Sequence, residues 1–138
     1  MEPPRFSEED LYPDARPALQ SLAERGVRVA VAGNFSSAIA NDVRSWALPI
    51  EAVLSAEELG AEKPTAAFFE GLASRVGVRP DEILYAGDRV DNDVTAARAA
   101  GCRTVWVRRG PWALLHDGDL LPAGVVTVDG LEEIAGLV

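Results

Sequence analysis

Ile83-Leu84-Tyr85-Ala86-Gly87-Asp88-Arg89-Val90-Asp91-Asn92-Asp93 is the stretch that decides how this chain folds. Residues 83–86 are apolar without alternation, which reads as a strand buried on both faces. Gly87 permits a tight turn at the strand's end. Three carboxylates, Asp88, Asp91 and Asp93, then fall within six residues. A short helix should run from Asp91 to Ala100 and stop at Gly101. Strand, acidic turn and helix in this order form one unit of a parallel α/β sheet.

The same unit repeats on either side. Val27-Arg28-Val29-Ala30-Val31-Ala32 reads as a buried strand, and Gly33-Asn34-Phe35-Ser36-Ser37 as the turn into a helix reaching about Leu48. Further strands are expected at 52–55, 104–107 and 125–128. A helix from about Thr65 to Val76 carries Phe68, Phe69, Leu72 and Val76 on one stripe. Asp14 is placed to cap a first helix with Leu19, Leu22 and Ala23, and 131–138 reads as the last helix. The expected fold is a three-layer, Rossmann-like α/β domain, a parallel sheet with helices on both faces. It occupies 13–138, after an irregular arm at 1–12 and with a Gly/Pro-bearing loop at 109–124.

Composition narrows the function. A net charge of −9 over 138 residues opposes binding to nucleic acid or to an anionic membrane. No apolar run approaches the ~20 residues of a membrane helix. The start is rich in Pro and Glu, unlike a signal peptide, and a single Cys102 fits a reducing, cytoplasmic setting. Twelve of the 13 basic residues are Arg, and Lys63 is the sole lysine.

Ligands of parallel sheets bind beyond the carboxyl ends of the strands. Three segments fall there. In 87–93, Asp88 and Asp93 suit a hard cation such as Mg2+, which takes one or two carboxylates and water; a solvated acidic helix cap would look the same. In Gly60-Ala61-Glu62-Lys63-Pro64, Lys63 precedes a helix N-terminus, where its charge opposes the dipole. Stability would prefer Asp or Ser there, whereas a cation beside carboxylates or a phosphate has a use. In 33–37, small residues and a helix N-terminus offer N–H groups to an anion, or form a plain cap through Asn34 or Ser36.

Taken in order, these segments resemble the haloacid dehalogenase superfamily of phosphatases and hydrolases, over about 11–138. Gly87-Asp88 with Asn92-Asp93 is similar to that family's fourth motif, whose acidic residues hold Mg2+. Lys63-Pro64 with Phe68-Phe69 is similar to the third, whose Lys steadies the nucleophile and the transferring phosphoryl group. Val29 to Asn34 takes the place of the second. The resemblance implies Mg2+ at Asp88 and Asp93, phosphate at Gly33, Asn34 and Lys63, catalytic help from Lys63, and a small phosphorylated substrate.

Two departures qualify it. The family's first motif, a strand ending in Asp-x-Asp whose first Asp attacks phosphorus, has no counterpart before Val27. Asp117-Gly118-Asp119 has the letters but no apolar strand before it. Gly33 also stands where the family has Ser or Thr. The expectation is therefore a core lacking its first strand and cap, with weak Mg2+ binding and negligible turnover, since attack needs a carboxylate. A non-catalytic binding or protein-interaction module of the same fold is the alternative. A phosphoryl-accepting receiver domain fits less well, because Lys63 precedes Asp88. With the first strand missing, 27–32 should close up and pair directly with 83–86, and dimerisation through exposed edges ranks next. His116 reads as solvent-facing, Cys102 and Trp106 as core.

Overall fold

The computed structural model describes residues 7, 9, 11–110, 113, 115 and 121–138. Most of the arm at 1–12 and of the loop around Asp117, Asp119 and His116 lies outside them. Among the described residues there are five strands, each paired in parallel: β1 (Ala30–Gly33), β2 (Ala52–Ser55), β3 (Leu84–Gly87), β4 (Arg103–Val107) and β5 (Val126–Val128). The helices are α1 (Ala15–Glu24), α2 (Ser37–Ser45), α3 (Ala56–Leu59), α4 (Ala66–Val76) and α5 (Ala96–Ala99). The expected α/β architecture is thus observed, with two corrections.

The first concerns the sheet. β1 pairs with β2, and β3 pairs with β4, which pairs with β5, as two separate ladders. Among the described residues β1 and β3 do not pair, so the expected closure of 27–32 onto 83–86 is overturned. The two ladders are joined through side-chain packing instead. Phe68, Phe69 and Leu72 of α4 share one core with Leu54 of β2 and Tyr85 of β3, and Ala32 of β1 packs against it. Phe69 meets Phe68 and Tyr85 edge-on at centroid distances of 5.1 and 5.2 Å. Both phenylalanines are fully buried, and each is worth about 3–5 kcal/mol against Ala. That floor belongs to both ladders, so they share one core without pairing. In consequence β1 is only half-buried over Ala30, Val31 and Ala32, and Ala86 of β3 is exposed. These strands are not covered on both faces, contrary to the reading of their composition.

The second concerns the helix after β3. It opens as a π-helical turn over Val90–Thr95 before tightening into α5. Val94 N–H reaches back five residues to the Arg89 carbonyl, at 3.1 Å. Smaller shifts accompany these. Residues 27–29 precede the β1 ladder, α2 ends at Ser45, and the last helix is a 3-10 segment, Leu131–Leu137. α1 buries Ala15, Ala18 and Leu22, while Ala23 is exposed. α3 had not been expected, although Ser55 and Glu58 have the spacing of a cap and Ser55 Oγ accepts from Glu58 N–H.

The layers follow from strand alternation. Val105, Val107 and Val128 point to one face, against Leu131, Ile134 and Leu137. Tyr85 and Trp106 point to the other, toward α4, α5 and the π-turn. Arg25, directly after α1, donates to the Ala135 carbonyl at 2.7 Å, which ties the end of α1 to the 3-10 layer.

Candidate active site

The sole lysine links the segment after β2 to the segment after β3. Lys63 Nζ is 2.5 Å from Asp93 Oδ1, with side-chain exposures of 13% and 5%. Asp93 is presented by the π-turn, whose wider circumference carries its carboxylate back over the end of β3. Its Oδ2 accepts from Arg89 N–H at 3.2 Å. A Cβ on Gly87 would lie 2.5 Å from Asp93 Oδ2, so glycine is required there by close approach. Lys63 is fixed from the other side by Asn34, whose Oδ1 accepts from Lys63 N–H at 2.8 Å and whose Nδ2 donates to its carbonyl at 3.1 Å.

The carboxyl ends of β1 and β3 therefore converge on one spot. Gly33, Asn34, Lys63 and Asp93 are brought together, with Asp88 directly after β3. Both functional groups of the Asn34 side chain are spent on holding Lys63. Gly33 is buried, and a Cβ there would meet the Phe35 ring at 2.8 Å.

Asp88 is exposed and is set by its backbone: Trp106 Nε1 donates to the Asp88 carbonyl at 3.0 Å. Local desolvation, then the Asp93 charge, push its carboxyl above the usual range, while Lys63 and Arg89 oppose this in part. Two carboxylates that repel across a strand end suit a cation, and hard divalent ions accept such a pair with water. The fit is partial, because Asp93 already holds Lys63 and a backbone N–H. Among the described residues no three acidic, His or Cys side chains gather closely enough to hold a metal.

The third segment behaves differently. Ser36 caps α2, its Oγ accepting from Ile39 N–H at 3.3 Å. Ser37 N–H, at the helix start, donates to Glu57 Oε2 at 2.8 Å. That bond holds the Glu57 carboxyl below its usual range. The N-terminus of α2 thus already has an anion, from the chain itself. Beside it an open cleft of about 550 Å3 is lined by Asn34, Phe35, Ala56, Glu57, Gly60 and Glu62.

Sequence reading missed three supports. Glu57 was hidden in an unrecognised helix. Trp106 had been read as packing alone; it is buried against Val90 and Val94 and also holds the acidic loop. Asp14 does not cap α1. Its carboxylate takes both forks of Arg109, with Oδ1 accepting from Nη1 at 2.8 Å and Oδ2 from Nη2 at 2.5 Å, and it also accepts from Leu131 N–H. Arg109 lies 4.3 Å above the Tyr12 ring. No spacing rule links residues 95 apart. Cys102 is buried, as expected.

Residues 4–101 match the model of the haloacid dehalogenase-like hydrolases. Glyceraldehyde 3-phosphate phosphatase of Methanopyrus kandleri is 40% identical over 110 residues, 73% of this chain and 45% of that one. Phosphoserine phosphatase of Thermus thermophilus is 34% identical over 72% of this chain and 41% of its own. The chain thus spans less than half the length of either. A solved D,D-heptose 1,7-bisphosphate phosphatase from B. bronchiseptica, complexed with magnesium and phosphate, superposes with a TM-score of 0.74 at 22% identity, over 91% of this chain and 82% of that one. That likeness is one of fold. Among the described residues no helix is long and apolar enough to cross a membrane.

Proposed function

The chain belongs to the haloacid dehalogenase-like hydrolases, and on that premise we propose that it is the phosphate- and metal-holding part of a phosphomonoester hydrolase, with negligible turnover by itself. The observation that carries this reading is the meeting of Lys63 and Asp93 at the shared end of β1 and β3, beside Asp88. Lys63 supplies the positive charge that a phosphoryl group in transfer requires. Asn34 sets its backbone, and the buried carboxylate of Asp93 orients the ammonium.

Mg2+ would be held by Asp88, with Asp93 as the second carboxylate, and would neutralise phosphoryl oxygens when bound. The cleft along Asn34, Phe35 and Glu57 leaves room for the leaving group of a small phosphorylated substrate. Among the described residues no strand end supplies the attack. Nucleophilic catalysis here needs a carboxylate oxygen that bonds to phosphorus as the ester P–O bond breaks. A second carboxylate must protonate the departing alcohol and later activate water against the acyl phosphate. The described strand ends are Gly33-Asn34, Ser55, Gly87-Asp88, Val107-Arg108 and Val128-Asp129. Asp88 is assigned to the cation and Asp129 to Arg108, so neither duty is filled.

One observation favours a protein-interaction role over anion binding for the same fold: Glu57 already accepts from Ser37 N–H at the α2 N-terminus. The deciding experiment is hydrolysis of p-nitrophenyl phosphate by the purified chain with Mg2+. Negligible turnover is expected. Mg2+-dependent turnover of about one per second, within the ordinary enzyme range, and abolished by Lys63→Ala, would overturn the proposal.

A further inference from the structure

One side chain touches both halves of the acidic turn. Trp106 stands in the middle strand of the β3–β4–β5 ladder, opposite Gly87 on one side and Thr127 on the other. It is 5% exposed. Its indole ring packs against Val90 and Val94, the residues of the π-turn that bracket Asp93. Its Nε1–H donates to the Asp88 carbonyl at 3.0 Å. A buried indole N–H needs an acceptor, and this one finds it just past the last registered pair of β3 and β4. A central strand thus grips residue 88 by a hydrogen bond and residues 90 and 94 by packing.

The turn itself is closed on its own backbone. Asp93 N–H and Val94 N–H both donate to the Arg89 carbonyl at 3.1 Å, and Asp93 Oδ2 accepts from Arg89 N–H. Those bonds fix Asp93 relative to Arg89 and do not involve Asp88, whose side chain is exposed. The separation of the two carboxylates therefore depends on where the backbone at 88 is held, and the indole holds it. Packing alone would be met by Phe or Leu at position 106; the N–H is the part of Trp that burial does not explain.

We infer that Trp106 is a positioning residue for divalent-cation preference: through the Asp88 carbonyl it fixes the distance between the Asp88 and Asp93 carboxylates, and so favours Mg2+ over Ca2+. The reason is geometric. Mg2+ demands near-octahedral coordination at ~2.0–2.1 Å, whereas Ca2+ accepts irregular sets of oxygens at ~2.3–2.6 Å. Two carboxylates held at one separation suit the first ion. A pair free to adjust loses that advantage and still serves the second. Groups behind the ligands change metal affinity by about ten- to a hundredfold. The cation part rests on the reading of Asp88 and Asp93 above; the anchoring of the acidic turn by the indole does not.

The test replaces Trp106 in the full 138-residue chain by benzothienylalanine, which keeps the fused rings and puts sulfur where the N–H was. Packing on Val90 and Val94 is thereby retained. Trp106→Phe, which removes the N–H and part of the ring, is the second variant. Backbone amide shifts of 87–94 are followed by NMR as MgCl2 or CaCl2 is added at constant ionic strength, and amide hydrogen exchange is read at Asp93 and Val94. In the benzothienylalanine protein Mg2+ affinity is expected to fall about tenfold and Ca2+ affinity about twofold or less. Exchange at Asp93 and Val94 should quicken about fivefold, the scale of one ordinary hydrogen bond, with exchange at Val105 and Val107 unchanged. Trp106→Phe should show the same fall in the ratio of Mg2+ to Ca2+ affinity. An equal fall for both ions, or an unchanged Mg2+ affinity, would overturn the preference and leave the cation site standing. Binding of neither ion by the parent chain would overturn the cation site and the preference with it. Unchanged exchange at Asp93 and Val94 would overturn the anchoring.

Discussion

Lys63 Nζ and Asp93 Oδ1 stand 2.5 Å apart across the seam between the two ladders, nearly removed from solvent. The pair joins the segment after β2 to the segment after β3, which no backbone ladder among the described residues does. Removing one member leaves the other charge buried. Lys63→Met is expected to cost about 3–5 kcal/mol, the scale of a broken buried pair. Asp93→Leu should cost a similar amount. The double variant should lose less than the sum, since no orphan charge remains. Urea unfolding of the four proteins checks it, and strict additivity would show that the two side chains do not depend on each other.

Two glycines separate close packing from flexible contact. A Cβ at Gly87 would lie 2.5 Å from the Asp93 carboxylate, which is pinned by Lys63 and by Arg89 N–H. A Cβ at Gly33 would meet only the edge of the Phe35 ring, a side chain that can rotate. Gly87→Ala should therefore destabilise by about 2 kcal/mol or more, Gly33→Ala by about 1 kcal/mol or less, on the scale of overpacking strain. Thermal unfolding of both variants decides this, and a reversed order would contradict the geometry.

These sites show how far the sequence could be read. The strands expected at 52–55, 83–86 and 104–107 and the helix from about Thr65 to Val76 were legible to within a residue, because apolar runs and stripes record burial directly. Lys63 stood out because a chain with twelve arginines spends a lysine at an unfavourable helix start. The π-turn was not legible. Val90 to Thr95 suits an α-helix locally, and only the need to bring Asp93 over Gly87 widens it. The pairing of β1 was misread for a related reason. Composition reports that a strand suits an interior, but it does not say which neighbour the strand pairs with. The Asp14 to Arg109 contact joins residues 95 apart, a separation at which no local pattern operates.

Mg2+ binding should be weak. Asp88 is exposed and available, but Asp93 divides its oxygens between Lys63 and a backbone N–H. With one or two carboxylates and the rest water, affinity on the order of millimolar is expected. Asp88→Ala should abolish what binding there is. Isothermal titration checks both statements. Sub-micromolar affinity, or affinity unchanged in Asp88→Ala, would remove Asp88 from the site.

Asp14 should make the fold sensitive to acid. Its carboxylate receives both Arg109 forks and Leu131 N–H; the Arg109 bonds hold its pKa far below the ordinary value of 3.8, against the opposing effect of burial. The unfolded chain has no such partners, so it binds the proton more readily than the folded one. Stability therefore rises with pH through this window: it is fully present above the unfolded pKa and is lost as pH falls toward the folded one. Charge-assisted bonds of this kind contribute about 1.5–3 kcal/mol net. Asp14→Asn should lower stability by about 2–3 kcal/mol at pH 7. The gap between the two proteins should stay constant down to about pH 5 and shrink below about pH 4, where protons remove from the wild type what the substitution has already removed. Arg109→Met should reproduce the loss at pH 7, because Asp14, Arg109 and the Leu131 N–H act as one clamp between α1, the end of β4 and the 3-10 segment. Urea unfolding from pH 3 to 8 checks the series, and a gap that widens as the pH falls would show that Asp14 is not anionic in the folded protein.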